Sequence, residues 1–235
     1  MNDKLDIKTA IKDTLPTVFG YIGIGVAFGI IASSAGFNPF IVGMMSLFIY
    51  AGGAQFITVS MLSSSFPMLS IVLATFLINS RMILMSMAMA PFFKEYSIFK
   101  NISIGTFLTD ESFSLGMNKQ NYTNGKLNFE WFNTANLISY ITWAVSSVVG
   151  ALLGGIVKNP YALGLDFALV AMFIGLLYLQ VISDFTIKKK VQVIVIVVVL
   201  FLVYFGMIFI PSNVLIIVVT LIGCAIGVVL KNVIY

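Results

Sequence analysis

Histidine is missing from this chain of 235 residues, and cysteine occurs once, at Cys224. The first absence removes the side chain that titrates near neutral pH and the commonest metal ligand. Any proton chemistry must then run through carboxylates, tyrosines or water. The second excludes an intrachain disulfide. Charge is scarce as well: 9% of residues carry it, against about a quarter in soluble domains. A chain so poor in charge, 60% hydrophobic and with a mean hydropathy of +1.05, cannot solvate its own surface in water. Arginine is almost absent too, since twelve of the thirteen cationic residues are lysine and Arg81 stands alone.

Long apolar runs are what the chain has in quantity. They fall at about 15–34, 41–62, 68–91, 101–117, 132–157, 163–183, 191–210 and 212–230. About 20 apolar residues cross 30 Å of hydrocarbon. The expected fold is an all-α polytopic membrane protein with about eight (7–8) transmembrane or re-entrant helices. Residues 1–14 read as a cytoplasmic N-terminal segment and 15–235 as one transmembrane domain. The N-terminus mixes charges of both signs and does not resemble a cleaved signal. Lys4, Lys8 and Lys12 recur every four residues, as on one side of an interfacial helix or along a solvated tail. The net charge of +4 suits cytoplasmic lysines and carries no nucleic-acid footprint.

The fourth run is interrupted by Thr109, Asp110 and Glu111, and lysine placement tests whether it crosses. Eight crossings with the N-terminus inside divide the lysines nine to three in favour of the inner face. Without the fourth crossing the better split is eight to four, with the N-terminus outside. The count favours eight, with a re-entrant fourth segment left open. A weak repeat also runs through the chain. "GVAFG", "NPF" and "FIYAGGAQ" are echoed by "GALLG", "NPY" and "FIGLLYLQ", pairing Gln55 with Gln180. Half-repeats of about 15–117 and 132–230 would be parallel with eight crossings and inverted with seven.

Arg81 stands in "FLINSRMILMSMAMAP", roughly 15 Å of helix rise from the nearer end of its run. That distance is long for snorkelling. An intramembrane arginine marks a pathway or substrate site, or else a buried ion pair. In a straight helix Arg81 lies about 200° round from Asn79, so both face one cavity only if the helix unwinds near "INSR". The carboxylates of "GTFLTDESFSLG" are its natural partners. Thr106, Thr109, Asp110 and Phe113 share one helical face with Glu111 turned elsewhere, and Asp110 or Glu111 are candidate proton acceptors. Asp166 and Asp184 bracket the sixth run and are expected nearer an interface. In "YAGGAQF", Gly52 and Gly53 predict either a helix break, exposing backbone groups to a ligand, or close helix packing.

The ordered set of Pro16 with "GYIGIGVAFG", "MSLFIYAGGAQF", "FLINSRMILMSMAMAP", "FLTDESF" and "LDFALVAMFIGLL" resembles the AzlC-type permeases over residues 16–178. The resemblance implies a secondary transporter of a bacterial cytoplasmic membrane that exports leucine, isoleucine, valine and related neutral amino acids. It also implies a small multispanning AzlD-type membrane partner and no cofactor. Asn79, Arg81, Thr109, Asp110, Glu111, Gly53 and Gln55 fall on the matching motif positions. Two positions depart from the family pattern. Gly23 stands where proline is common, and Met82 stands where histidine is common, so no histidine-based proton step carries over.

The candidate substrate site is therefore Asn79, Arg81, Gly52, Gly53, Gln55, Thr109, Asp110 and Gln180, with Asp110 and Glu111 for proton coupling. Arginine can grip a carboxylate through two hydrogen bonds, or a helix N-terminus can hold it. Met82, Met85, Phe48 and Phe76 can pack on a branched side chain. A second reading makes the chain a structural or regulatory subunit in which Arg81 pairs permanently with Asp110 or Glu111. An intramembrane enzyme lacks a nucleophile–base pair here, a channel lacks a charged ring, and ATP use lacks a Walker A motif.

Overall fold

The computed structural model describes residues 2–157, 161–165, 167–183, 187–210 and 212–234. Among them every regular element is helical. Asp6 caps α1 (Ile7–Ser34), and the hydrogen bonds from Thr9 hold the Asp6 carboxyl below the usual carboxylate range. Next come α2 (Pro39–Phe48), α3 (Gly52–Ser63), α4 (Met68–Asn79), α5 (Arg81–Phe93), α6 (Ile98–Thr106) and α7 (Asp110–Gln120). The order ends with α8 (Phe129–Gly154), α9 (Phe167–Ser183), α10 (Lys189–Phe209) and α11 (Ser212–Ile234). Among the described residues, α1, the α4–α5 pair, α8 and α10 are long and apolar enough to cross a membrane.

Residues Met1–Leu177 form one compact unit, centred on α1 and α8. These two helices run in parallel, with Asp13 against Trp131, Tyr21 against Trp143 and Gly29 against Gly150. Their G-x-x-x-G motifs meet face to face. A β-carbon on Gly29 would strike the Ser147 carbonyl oxygen and the Ala151 nitrogen, and one on Gly150 would strike the Val26 backbone. Small residues bring the backbones this close because dispersion, unlike the hydrophobic effect, still operates between helices in lipid. The two "G-x-x-x-G" pieces of the expected repeat are thus each other's packing partners.

The second apolar run does not cross, which corrects the eight-crossing topology. α2 passes down α8 from Gly43 beside Val148 to the Leu47 carbonyl, which accepts from Tyr140 Oη at 2.9 Å. The chain then turns at Tyr50, whose φ of 41° is left-handed, and α3 climbs back until Phe56 meets Phe28 at 5.2 Å. Gln55 Nε2 donates to Ser46 Oγ at 3.1 Å and pins the two arms together. Thr58 and Thr75 then face each other across the next turn, so α4 starts inward again.

The fourth run is the mirror case, a hairpin entering from the other end. α6 rises beside α8, with Ser103 bonded to Asn133 and Phe107 packed on Tyr140. Residues 107–109 turn, and α7 descends to bring Lys119 to Asp13. Both hairpins return to the face they left. The reason is local chemistry: "IYAGG" and "FLTDE" each interrupt a run just long enough to span, and hydropathy cannot register a change of direction. Once the second run turns back, Lys94 and Lys100 change sides. Lys4, Lys8, Lys12, Lys94, Lys100, Lys119 and Lys126 then all sit at the end holding the amino termini of α1 and α8.

Residues Tyr178–Tyr235 form a second unit. In it α10 and α11 pair antiparallel, with Gly206 against Leu215, Gly223 against Val199 and Gly227 near Val195. Lys158, Asn159, Pro160, Asp166 and Asp184, which the lysine count, the repeat and the sixth-run reading involve, lie outside the described residues.

Candidate functional site

The tips of the two hairpins meet midway along α1 and α8. Tyr21, Tyr50, Ala51, Gly52, Gly53, Met82, Thr109, Asp110, Glu111 and Trp143 line a cleft there, with room for little more than one water molecule. Each tip has its own local cause. At the first, Tyr50 holds a backbone conformation that bulky residues avoid, and α3 then begins at Gly52 without a side-chain cap. At the second, Thr109 caps α7 by accepting from Ser112 N–H, while Ser112 Oγ accepts from Thr109 N–H. Asp110 and Glu111 follow in the first turn of α7, where the helix dipole favours negative charge.

Because α7 starts at Asp110, the expected helical face through Thr106 and Phe113 does not exist, and Asp110 and Glu111 both reach the cleft. They take different partners. Asp110 Oδ2 lies 2.7 Å from Arg81 Nη2, with the two side chains 16% and 33% exposed. Glu111 Oε2 accepts from Tyr21 Oη at 2.7 Å, and Tyr21 Oη also shares a 2.9 Å hydrogen bond with Thr109 Oγ1.

Arg81 opens α5 after a tightened turn at Ser80, where Ser80 N–H reaches Leu77 and Ile83 N–H reaches the Ser80 carbonyl. The interruption falls at the "INSR" position. The guanidinium carbon stands 5.0 Å from the centroid of the Phe173 ring, within cation–π range. Arg81 Nε and Asn79 Oδ1 are buried with no hydrogen-bond partner, and Tyr50 Oη is in the same state. Buried polar atoms are normally satisfied, which sets these three apart.

The remaining sequence candidates divide. Gly52 abuts Trp143, with space for a β-carbon only 3.0 Å from the indole, and Gly53 faces Phe173 and Arg81 Nη2. Gln55 does not line the cleft; it is fully buried, accepts from Trp143 Nε1 at 2.9 Å and donates to Ser46. Gln180 is within α9, but its side chain is outside the described residues. Of the apolar candidates Met82 lines the cleft and Met85 packs against the buried apolar cluster that includes Trp131 and Phe132. Phe48 and Phe76 point outward instead, 79% and 63% exposed. Sequence reasoning missed Tyr21, Tyr50 and Trp143, whose only signal was an aromatic next to a glycine run or on a polar stripe of an apolar helix.

No solved structure matches the chain. Among curated proteins, an uncharacterized membrane protein of Helicobacter pylori is 29% identical over 169 residues, 72% of this chain and 73% of its own. The branched-chain amino acid transport protein AzlC of Bacillus subtilis is 29% identical over 171 residues, 71% of this chain and 65% of its own. The inner membrane protein YgaZ of Escherichia coli is 29% identical over 170 residues, covering 71% and 69%. The AzlC protein family profile matches residues 16–157, the stretch that builds both hairpins and the α1–α8 seam. With the motif order, the cleft and this profile in agreement, the chain belongs to the AzlC family of membrane proteins, whose Bacillus subtilis member is named for branched-chain amino acid transport.

Proposed function

We propose that this chain is a secondary transporter that exports leucine, isoleucine, valine and related neutral amino acids across the bacterial cytoplasmic membrane, coupled to protons and assisted by a small AzlD-type membrane partner. The observation that carries the reading is the Arg81–Asp110 pair held between two opposed hairpin tips. A zwitterion can insert into such a pair: its carboxylate replaces Asp110 on the guanidinium and its ammonium takes the freed Asp110. No net charge is added to the low-dielectric site by that exchange. The unpartnered Arg81 Nε and Asn79 Oδ1 supply a further donor and acceptor. Met82, Trp143 and the glycine surface of Gly52 and Gly53 suit an aliphatic tail. Glu111, hydrogen-bonded to Tyr21, is left as the carboxylate for proton coupling.

The clustering of seven lysines at the amino ends of α1 and α8 favours that end as cytoplasmic, with the N-terminus inside. Gln55 stays in the site only if the hairpin opens, since it is engaged by Trp143 and Ser46 in this closed arrangement.

The second reading, a membrane subunit with a permanent ion pair, has one observation in its favour: the cleft is too narrow for leucine as it stands. Leucine counterflow in proteoliposomes separates the two, with and without the small partner. Arg81→Gln, confirmed folded, should cut exchange by roughly a hundredfold, the scale of two charge-assisted hydrogen bonds at about 1.5 kcal/mol each. Exchange that persists in the variant returns Arg81 to a structural role. A loss of folding in Arg81→Gln supports the permanent pair.

A further inference from the structure

Two polar rungs tie α1 to α7. Tyr21 meets Glu111 in the cleft, and eight residues along each helix Asp13 meets Lys119 at 2.6 Å. The lower rung is buried: Lys119 is fully enclosed, Trp131 Nε1 donates to Asp13 at 3.2 Å, and the Asn2 carbonyl accepts from Lys119 at 2.9 Å. About 12 Å of helix separates the rungs.

On α8 the residues that meet the two rungs are Trp131, at Asp13, and Trp143, at Tyr21. The stretch between them holds Asn136 and Ser139, which lie two turns and one turn from Trp143 on the stripe that includes Phe132 and Trp143. Their side chains are 0% and 1% exposed. Both ends of the Asn136 amide and the Ser139 hydroxyl have no hydrogen-bond partner in the protein. Orphaned polar groups in a dry interior are costly to leave unsatisfied. Buried groups of this kind are met by internal water.

We propose that α1, α7 and α8 enclose a file of water between the Asp13–Lys119 rung and Glu111, and that it carries protons from the cleft to the end holding the Asp13–Lys119 rung. Asn136 orients the water through its fixed donor and acceptor. Ser139, which can accept a proton on its hydroxyl oxygen while releasing its own, passes the proton on. The proton leaves the Glu111 carboxyl and emerges in bulk water at the Asp13 end, the direction that proton-driven export requires. Glu111 faces Tyr21 on α1, Tyr50 at the first hairpin tip and its neighbour Asp110, which Arg81 holds. Asp13 faces Lys119 and Trp131. The inference rests on the proton-coupled reading above and gives it a route.

Silver ion follows water into narrow spaces and bonds thiolates, and the single native cysteine makes a clean background simple. In a Cys224→Ser chain, Asn136→Cys and Ser139→Cys should be blocked by silver about tenfold faster than Val145→Cys on the exposed face of α8. Equal rates overturn the file, whatever transport shows. In proteoliposomes, Asn136→Leu and Ser139→Ala should lower leucine-linked proton flux about tenfold yet keep leucine–leucine counterflow, with Ser139→Thr restoring it. Silver access with unchanged proton flux overturns the relay. Absence of counterflow in the unaltered chain would remove the transport reading, and the silver rates would still decide the file.

Discussion

Tyr21 and Glu111, ninety positions apart, share a 2.7 Å hydrogen bond at the point where hairpins from opposite ends of the unit meet. The same hydroxyl touches Thr109, the cap of α7, so one phenol joins the long helix α1 to the tip of the second hairpin. Its ring is fixed separately, edge-on to Trp143 at 5.2 Å. Packing and hydrogen bonding by this residue can therefore be separated. Tyr21→Phe keeps the ring contact and removes the hydroxyl. It should lower thermal stability in detergent by about 1–2 kcal/mol, the cost of leaving Glu111 and Thr109 short of a partner, and should lower leucine exchange with it.

The Asp13–Lys119 pair predicts strong non-additivity. Removing either partner strands a charge in a buried site, at a cost of about 3–5 kcal/mol. The double change Asp13→Leu with Lys119→Met removes both charges and should recover most of that loss. Chaotrope unfolding of the three variants measures the coupling energy directly. Additive losses would mean that the two side chains do not face each other as described.

Glycines of α1 supply a matched contrast. Gly29 is wedged against backbone of α8 on two sides, whereas a β-carbon at Gly23 meets nothing within 4 Å. Backbone cannot swing aside as a flexible side chain can. Gly29→Ala should cost about 2 kcal/mol or more through overpacking. Gly23→Ala should be neutral or stabilise by about 0.5–1 kcal/mol through reduced chain entropy. Thermal melts of the two variants side by side make the test.

Composition and run length made the membrane class and the helical content legible, because the cost of burying polar backbone in lipid leaves few alternatives. The interruptions at "YAGG" and "INSR" were legible for the same reason, since glycines and a charge in an apolar run need an explanation. The lone arginine pointed to "TDE", where Asp110 holds it. Direction was not legible. Residues 41–62 are long enough to span, and transfer free energy has no term for a turn at Tyr50. That one error moved Lys94 and Lys100 to the wrong face and made the lysine count lean toward eight crossings. Tyr21 and Trp143 were missed because an aromatic in a hydrophobic helix reads as packing until its polar edge is seen to meet Glu111 or Gln55.

The seam between α1 and α8 sets how such a molecule can work. Where backbone touches backbone at Gly29 and Gly150, neither helix can slide or roll without atoms colliding. The two therefore behave as one rigid spine. Any widening of the cleft has to be taken up by short pieces with loose joints: the hairpin bent at Tyr50, the hairpin bent before Asp110, and the span divided at Ser80. A fixed spine with three hinged arms would confine any opening of the cleft to the arms while the spine itself stays still.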